Sequence, residues 1–299
     1  MTSDEMKAIL ALGDGVVAMD AERIEDRRAA TSAALFGPLT EGTVAEDRPL
    51  GGRPALWFHP ESMEADQDNT VLYLHGGVFE VGSPSDYQAF CSRLALRLSG
   101  TVVALDYRLA PEHRFPSAVD DVVAAYRELI DMVSPSKVAV IGDSAGGGLV
   151  MSCLIAALRA GLPQPAAAVS LSAWADLTSE PDSRLRCAAS DPFIKAEMLQ
   201  RAADQYLVNA DPRDPLASPA HASIDELAEL APILLQAAGN EILVDDSCLL
   251  ADRIVRAGGD VALEITGAAF HVWVMAGDTI PEARRAMDSL CQFVRVRWS

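Results

Sequence analysis

Lys137-Val138-Ala139-Val140-Ile141-Gly142-Asp143-Ser144-Ala145-Gly146-Gly147-Gly148 is an apolar run that breaks at a serine between glycines and passes into the helical pattern Leu149 to Leu158. A serine on a tight strand-to-helix turn needs a strained backbone, so the positions two residues either side must be nearly free of side chain. Gly142 and Gly146 occupy those positions. The following helix points its unpaired N-terminal amides and positive dipole end toward any charge that develops beside Ser144. Glycine-serine-glycine patterns also serve phosphate-binding loops and plain turns. A dinucleotide fingerprint needs G-x-G-x-x-G, and a P-loop needs Lys-Ser/Thr after its second glycine; this stretch has neither. The pattern therefore points to a nucleophile elbow and to acyl transfer.

Outward from the elbow, the chain alternates short apolar runs with helical patterns. The runs are Val71 to Leu74, Val102 to Leu105, Val138 to Ile141, Ala167 to Leu171, Ile233 to Ala237 and Val261 to Ile265. Crossover helices fit at Tyr87 to Leu98, Ala118 to Met132, Leu149 to Leu158, Asp245 to Ala257 and Pro281 to Val296. Apolar strands separated by helices predict an α/β fold with a mostly parallel central sheet covered on both faces. Upstream, Thr43 to Glu46 and Ala55 to His59 flank a turn rich in Gly and Pro and read as a hairpin at a sheet edge. Asp4 to Ala34 reads as one or two helices, with Ile9, Leu12, Val16, Val17 and Met19 at helical spacing.

One interval breaks the alternation. Between about Ala173 and Ala231 there is no strand candidate, only a helical stretch, Lys195 to Leu207, and a loop dense in Asp, Pro and Ser, Asn209 to Pro219. An insertion of this size between sheet strands usually serves a ligand site. Together with the N-terminal helices it is expected to form a lid over the C-terminal edge of the sheet, where open α/β sheets bind ligands. The expected division is residues 1–40 and 176–219 as the two parts of a helical cap, and 41–175 with 220–299 as the catalytic domain.

With 299 residues, half of them hydrophobic, the chain can bury a sizeable core. Its formal net charge of −19 argues against a nucleic-acid backbone or an anionic membrane as partner. The five cysteines are widely spaced, with no C-x-x-C pair, which speaks against a disulfide framework or a zinc site. The acidic N-terminus lacks the features of a secretory signal, and no apolar run is long enough to span a bilayer. A cytoplasmic location without stable membrane insertion is expected.

A serine nucleophile needs a base and an orienting carboxylate. Hydrolases with this elbow place the acid after a strand downstream and the histidine after the next strand. His271 lies just past Val261 to Ile265; His221, in the insertion, is the second choice. Glu241 follows the strand Ile233 to Ala237 directly, whereas Asp245 and Asp246 read as helix-opening carboxylates, with Asp245 the reserve acid. The loop Tyr73-Leu74-His75-Gly76-Gly77-Val78-Phe79 ends a strand with paired glycines, whose amides can approach a substrate oxygen. Gly76, Gly77 and Ala145 are the expected oxyanion donors, with Val78 a further candidate; His75 shapes the loop.

These segments resemble the bacterial hormone-sensitive-lipase-like (family IV) carboxylesterases of the α/β-hydrolase superfamily. The resemblance rests on His75-Gly76-Gly77, Asp106-Tyr107-Arg108-Leu109-Ala110-Pro111-Glu112, Gly142-Asp143-Ser144-Ala145-Gly146-Gly147, Glu241-Ile242-Leu243-Val244-Asp245 and His271, which run in the family's order. It implies an α/β-hydrolase fold, a cap of the two segments above, and hydrolysis of short-to-medium acyl esters without cofactor or metal. It also allows for a homodimer paired through an exposed sheet edge or the last helix. Two positions depart from the pattern. Val78 stands where the family has the third glycine of its HGGG loop, and Glu241 stands where it has Asp. The rival functions are an amidase or lactone hydrolase on the same residues, and a non-catalytic receptor on the same fold.

Overall fold

The computed structural model describes residues 2–10, 21–35, 37–62 and 68–298. Two N-terminal helices, α1 (Asp4–Leu10) and α2 (Ile24–Leu35), precede the first strand. The helical expectation for Leu12, Val16, Val17 and Met19 lies outside the described residues. Strands β1 (Thr43–Asp47) and β2 (Ala55–Pro60) form the expected antiparallel hairpin, with Thr43 opposite Pro60.

Six further strands follow: β3 (Thr70–Leu74), β4 (Thr101–Leu105), β5 (Val138–Asp143), β6 (Ala167–Leu171), β7 (Ile233–Ala238) and β8 (Val261–Thr266). They complete one eight-stranded sheet of order β1-β2-β4-β3-β5-β6-β7-β8. From β4 to β8 every pairing is parallel; β2 joins β4 antiparallel. The crossovers are α3 (Gln88–Leu98), α4 (Ser117–Met132), α5 (Ala145–Arg159) and α9 (Val244–Ala257), and α10 (Pro281–Arg295) closes the chain.

Strand alternation sorts the core into two layers. Leu72, Leu74, Val138, Val140 and Leu235 pack with α4 and α5, while Val71, Tyr73, Ala139, Ile141 and Leu234 pack with α3 and α10. Every residue of β3, β5, β6 and β7 is buried, as continuous apolar runs covered on both faces require. Cys91, Cys153, Cys187 and Cys291 are buried free thiols in these layers; Cys248 is half-buried.

Between β6 and β7 lie α6 (Ser183–Arg186), α7 (Ala196–Leu207) and α8 (Ile224–Ala228), with no strand among them. Helix α5 begins at Ala145, four residues before the expected Leu149. The glycines after Ser144 are already helical, because α5 springs directly from the end of the central strand and is buried on nearly all sides. The fold is the α/β-hydrolase arrangement that the sequence predicts.

Candidate active site

Ser144 is the hinge between β5 and α5, with φ 53° and ψ −120°. A non-glycine residue in this region is strained and persists only where its surroundings fix it. Its N–H donates to Leu171 O at 2.8 Å, and its carbonyl accepts from Trp174 N at 2.9 Å, so the end of β6 holds the hinge from both sides. A Cβ on Gly146 would lie 2.0 Å from the Leu74 carbonyl oxygen, and one on Gly142 would lie 2.5 Å from Gly146 O. Both glycines are required by contact with backbone, which cannot yield as a side chain could.

Glu241 and His271 meet although 30 residues separate them: His271 Nδ1 lies 2.7 Å from Glu241 Oε2. The other carboxylate oxygen accepts from Ala238 N at 2.8 Å, which fixes Glu241 at the end of β7. A carboxylate only accepts, so Nδ1 carries the proton and Nε2 is left as an acceptor. Glu241 is 1% exposed, so its longer side chain folds back under the loop. Next to His271, Val272 N donates to Ser172 Oγ at 3.1 Å, tying the histidine loop to the segment that leaves β6 beside the elbow. Burial alone would push the His271 pKa down. The hydrogen bond and charge of Glu241, with Asp191 and Asp143 adding, leave it raised above the ordinary 6.5.

The reserve residues lie elsewhere. Asp245 accepts from Ser183 N at 2.7 Å and pairs with Arg186 at 2.5 Å. His221 Nε2 faces Asp176 Oδ2 at 3.1 Å within the insertion. Asp246, read from the sequence as a helix-opening acid, stands at the start of α9 and is fully buried. It accepts from Ala175 N and Asp176 N and pairs with Arg184 at 2.8 Å. Burial pushes its pKa to about 7 despite these partners. It fastens α6 and the start of the insertion to α9.

The loop after β3 is organised by Asp143, the residue before the serine. Its Oδ1 accepts from Tyr73 Oη at 2.5 Å and from Gly76 N at 2.9 Å. Burial raises its pKa to about 6 against those hydrogen bonds. A Cβ on Gly76 would sit 2.3 Å from Asp143 Oδ2, so a glycine is needed for this approach. The Gly76 amide, expected as an oxyanion donor, is thus committed to Asp143. The N–H groups of Gly77 and Val78 have no acceptor among the described residues, and Ala145, at the start of α5, has none within its helix.

His75 is fully buried, stacks on Tyr107 at 4.4 Å and accepts Tyr107 Oη at its carbonyl at 2.6 Å. Its Nδ1 donates to Gly76 O at 2.7 Å, and burial lowers its pKa, which suits a neutral structural histidine. Val78 and Phe79 both have positive φ, 51° and 62°. Side chains in this conformation cost roughly 1–2 kcal/mol each, which accounts for a glycine in the family at position 78. Ala110 N donates to Phe79 O at 2.8 Å, so the segment from Tyr107 onward braces the loop.

Asp143 and Asp191 had no assigned role in the sequence. Asp191 is buried and accepts from Ile242 N, next to Glu241, and from Phe193 N and Ile194 N. The only signal for Asp143 is its place within the glycine-serine motif; Asp191 lies in a segment without periodicity.

A family model for the alpha/beta hydrolase fold matches residues 71–275. The chain is 42% identical over 278 residues to an acetyl-hydrolase of Streptomyces hygroscopicus, covering 91% of this chain and 90% of that protein. An ethyl acetate hydrolase of Pseudomonas putida is 31% identical over 280 residues, covering 89% and 87%. A crystal structure of an esterase from the bacterial hormone-sensitive lipase family superposes with a TM-score of 0.93 at 35% identity, covering all of both chains. The chain belongs to the α/β-hydrolase family, within which it is a bacterial hormone-sensitive-lipase-like carboxylic ester hydrolase.

Proposed function

We propose that the protein is a serine carboxylesterase that hydrolyses short-to-medium acyl esters through an acyl-enzyme intermediate, with Ser144, His271 and Glu241 as its triad. The observation that carries this reading is the buried Glu241–His271 contact, which fixes the imidazole tautomer with Nε2 free to accept a proton. Ser144 Oγ attacks the ester carbonyl carbon as His271 Nε2 takes its proton. The resulting imidazolium is stabilised by Glu241 and returns the proton to the leaving alcohol. Water, activated by the same imidazole, then releases the acid. The N–H groups of Gly77, Val78 and Ala145 hold the oxyanion in both tetrahedral intermediates. No cofactor or metal enters this sequence of steps.

Helix α2 and the insertion act in this reading as the two parts of a cap. A cavity of about 270 Å³ lies between α6, α7 and the segment after β6, lined among others by Trp174, Leu177, Leu185, Ala196 and Leu199. Trp174, which lines it, donates its N–H to Ser144 O at 2.9 Å. The cavity's size and largely apolar lining suit a small acyl or alcohol group. The names of the two relatives, acetyl-hydrolase and ethyl acetate hydrolase, also favour short acyl groups.

A panel of esters graded by acyl length and alcohol bulk, with matched amides and lactones, tests the substrate class. The highest kcat/KM is expected on esters with short acyl chains. An amide or lactone turned over faster than the matching ester would assign the triad to that substrate instead.

The raised His271 pKa sets the acid limb. The base works only when neutral and is protonated below its pKa, so a raised value moves the loss of activity to higher pH. Activity on p-nitrophenyl acetate should fall with a midpoint above 6.5 as the pH is lowered. In Glu241→Gln that limb should move to lower pH, because the group that raises the pKa is gone. An unmoved limb would show that the titrating group is not this histidine.

A further inference from the structure

Glu80 follows the amide-bearing turn and is fully buried, with neither carboxylate oxygen in a hydrogen bond. A buried carboxylate without hydrogen bonds persists only where opposite charge compensates it. Two arginines do so here. Arg27 of α2, itself 3% exposed, lies 3.2 Å from Glu80 Oε2, and Arg201 of α7 lies 3.5 Å from the same oxygen. The contacts therefore join three segments far apart in the chain at a single carboxylate.

That carboxylate is attached to a strained turn. The Gly77 carbonyl accepts from Glu80 N at 2.9 Å and from Val81 N at 3.0 Å, closing the turn around Val78 and Phe79, whose φ angles are positive. Such a conformation is kept only by what surrounds it. Arg28, the neighbour of Arg27, donates to the Glu80 carbonyl at 2.9 Å and grips Glu112 with both terminal nitrogens. Tyr206 of α7 stacks on Phe79 at 4.1 Å with planes 3° apart. Helices α2 and α7 thus both hold the turn, and the charge of Glu80 is the element that they share.

We propose that Glu80 is a positioning residue: its buried carboxylate, facing Arg27 and Arg201, fastens the Gly77–Phe79 turn so that the amides of Gly77 and Val78 stay aimed at the oxyanion. The proposal rests on the serine-esterase reading above. It ties oxyanion stabilisation to the seating of both cap segments. Because the amides act on charge that develops only in the transition state, a disturbed turn should lower kcat and leave KM nearly unchanged.

The test uses the full-length protein with p-nitrophenyl acetate, and a trifluoromethyl ketone as a probe that adds to Ser144 and places an oxyanion in the hole. Glu80→Gln keeps the side-chain size and removes the charge. It should lower kcat at least tenfold with KM within twofold, and weaken the ketone by a similar factor. Glu80→Asp should recover most of both. Should Glu80→Gln fail to fold, Arg201→Met carries the test, since Arg201 is partly exposed and its loss leaves Arg27 paired with Glu80; a several-fold loss of kcat and ketone affinity is expected. Unchanged kcat and ketone affinity in the folded variant, even with a lowered melting temperature, would show that the cluster is structural only and overturn the proposal. Ser144→Ala measured in parallel separates the two readings. An inactive Ser144→Ala beside an unaltered Glu80→Gln overturns the role of Glu80 alone, whereas an active Ser144→Ala overturns the esterase reading and this proposal with it.

Discussion

Ser144→Ala is expected to lower kcat/KM on p-nitrophenyl acetate by about 10⁴-fold or more, with the melting temperature little changed. The side chain lost is small, and the backbone contacts of residue 144 with Leu171 and Trp174 do not depend on it. Alanine at φ 53° is strained much as serine is, so the hinge should survive. What disappears is the hydroxyl that the proposed mechanism acylates. Any activity that remains reflects water attacking within an intact oxyanion hole. Activity within tenfold of the parent would place the nucleophile elsewhere.

Glu241→Gln is the second large effect, about 10³- to 10⁴-fold in kcat, and its physical cause is specific. Both oxygens of Glu241 accept hydrogen bonds, one from Ala238 N and one from His271 Nδ1. An amide has only one oxygen, and the Ala238 N–H, which can only donate, claims it. The amide NH₂ then faces Nδ1 and drives the imidazole proton to Nε2, where it blocks acceptance of the serine proton. Asp245→Asn should stay within about twofold, because Asp245 is bound to Ser183 and Arg186, away from the imidazole. If the order of these two effects were reversed, the acid would be Asp245.

The parts of this fold that were legible in the sequence are those in which burial is written as pattern. The apolar runs of β3, β5, β6 and β7 are readable because both faces are covered, and the elbow because backbone contacts tolerate only glycine at 142 and 146. His271 and Glu241 could be placed by strand order, since each follows the strand that delivers it. The start of α5 could not: three consecutive glycines carry no helical signal, and only the departure of the chain from Ser144 makes them helical. Buried acids were the other blind spot. Asp143, Asp246 and Glu80 look like ordinary surface carboxylates in sequence, and their partners come from residues tens of positions away. The Gly76 amide was misplaced for the same reason, because its acceptor is Asp143, 67 residues on.

Position 78 shows how packing can offset a local rule. A β-branched residue at positive φ is disfavoured on local grounds, yet Val78 is only 2% exposed and its turn is closed from both sides by α2 and α7. The substitution keeps the amide and adds a branched side chain to the turn.

If Ser144 is the nucleophile activated by His271, a fluorophosphonate should react with it covalently. After reaction with a fluorophosphonate, intact-mass measurement and peptide mapping should show one adduct per chain, on the peptide that contains Ser144, in proportion to the activity lost. The rate of labelling should fall steeply in Glu241→Gln. Activity lost with the adduct on another residue, or retained while Ser144 is fully labelled, would rule out Ser144 as the nucleophile.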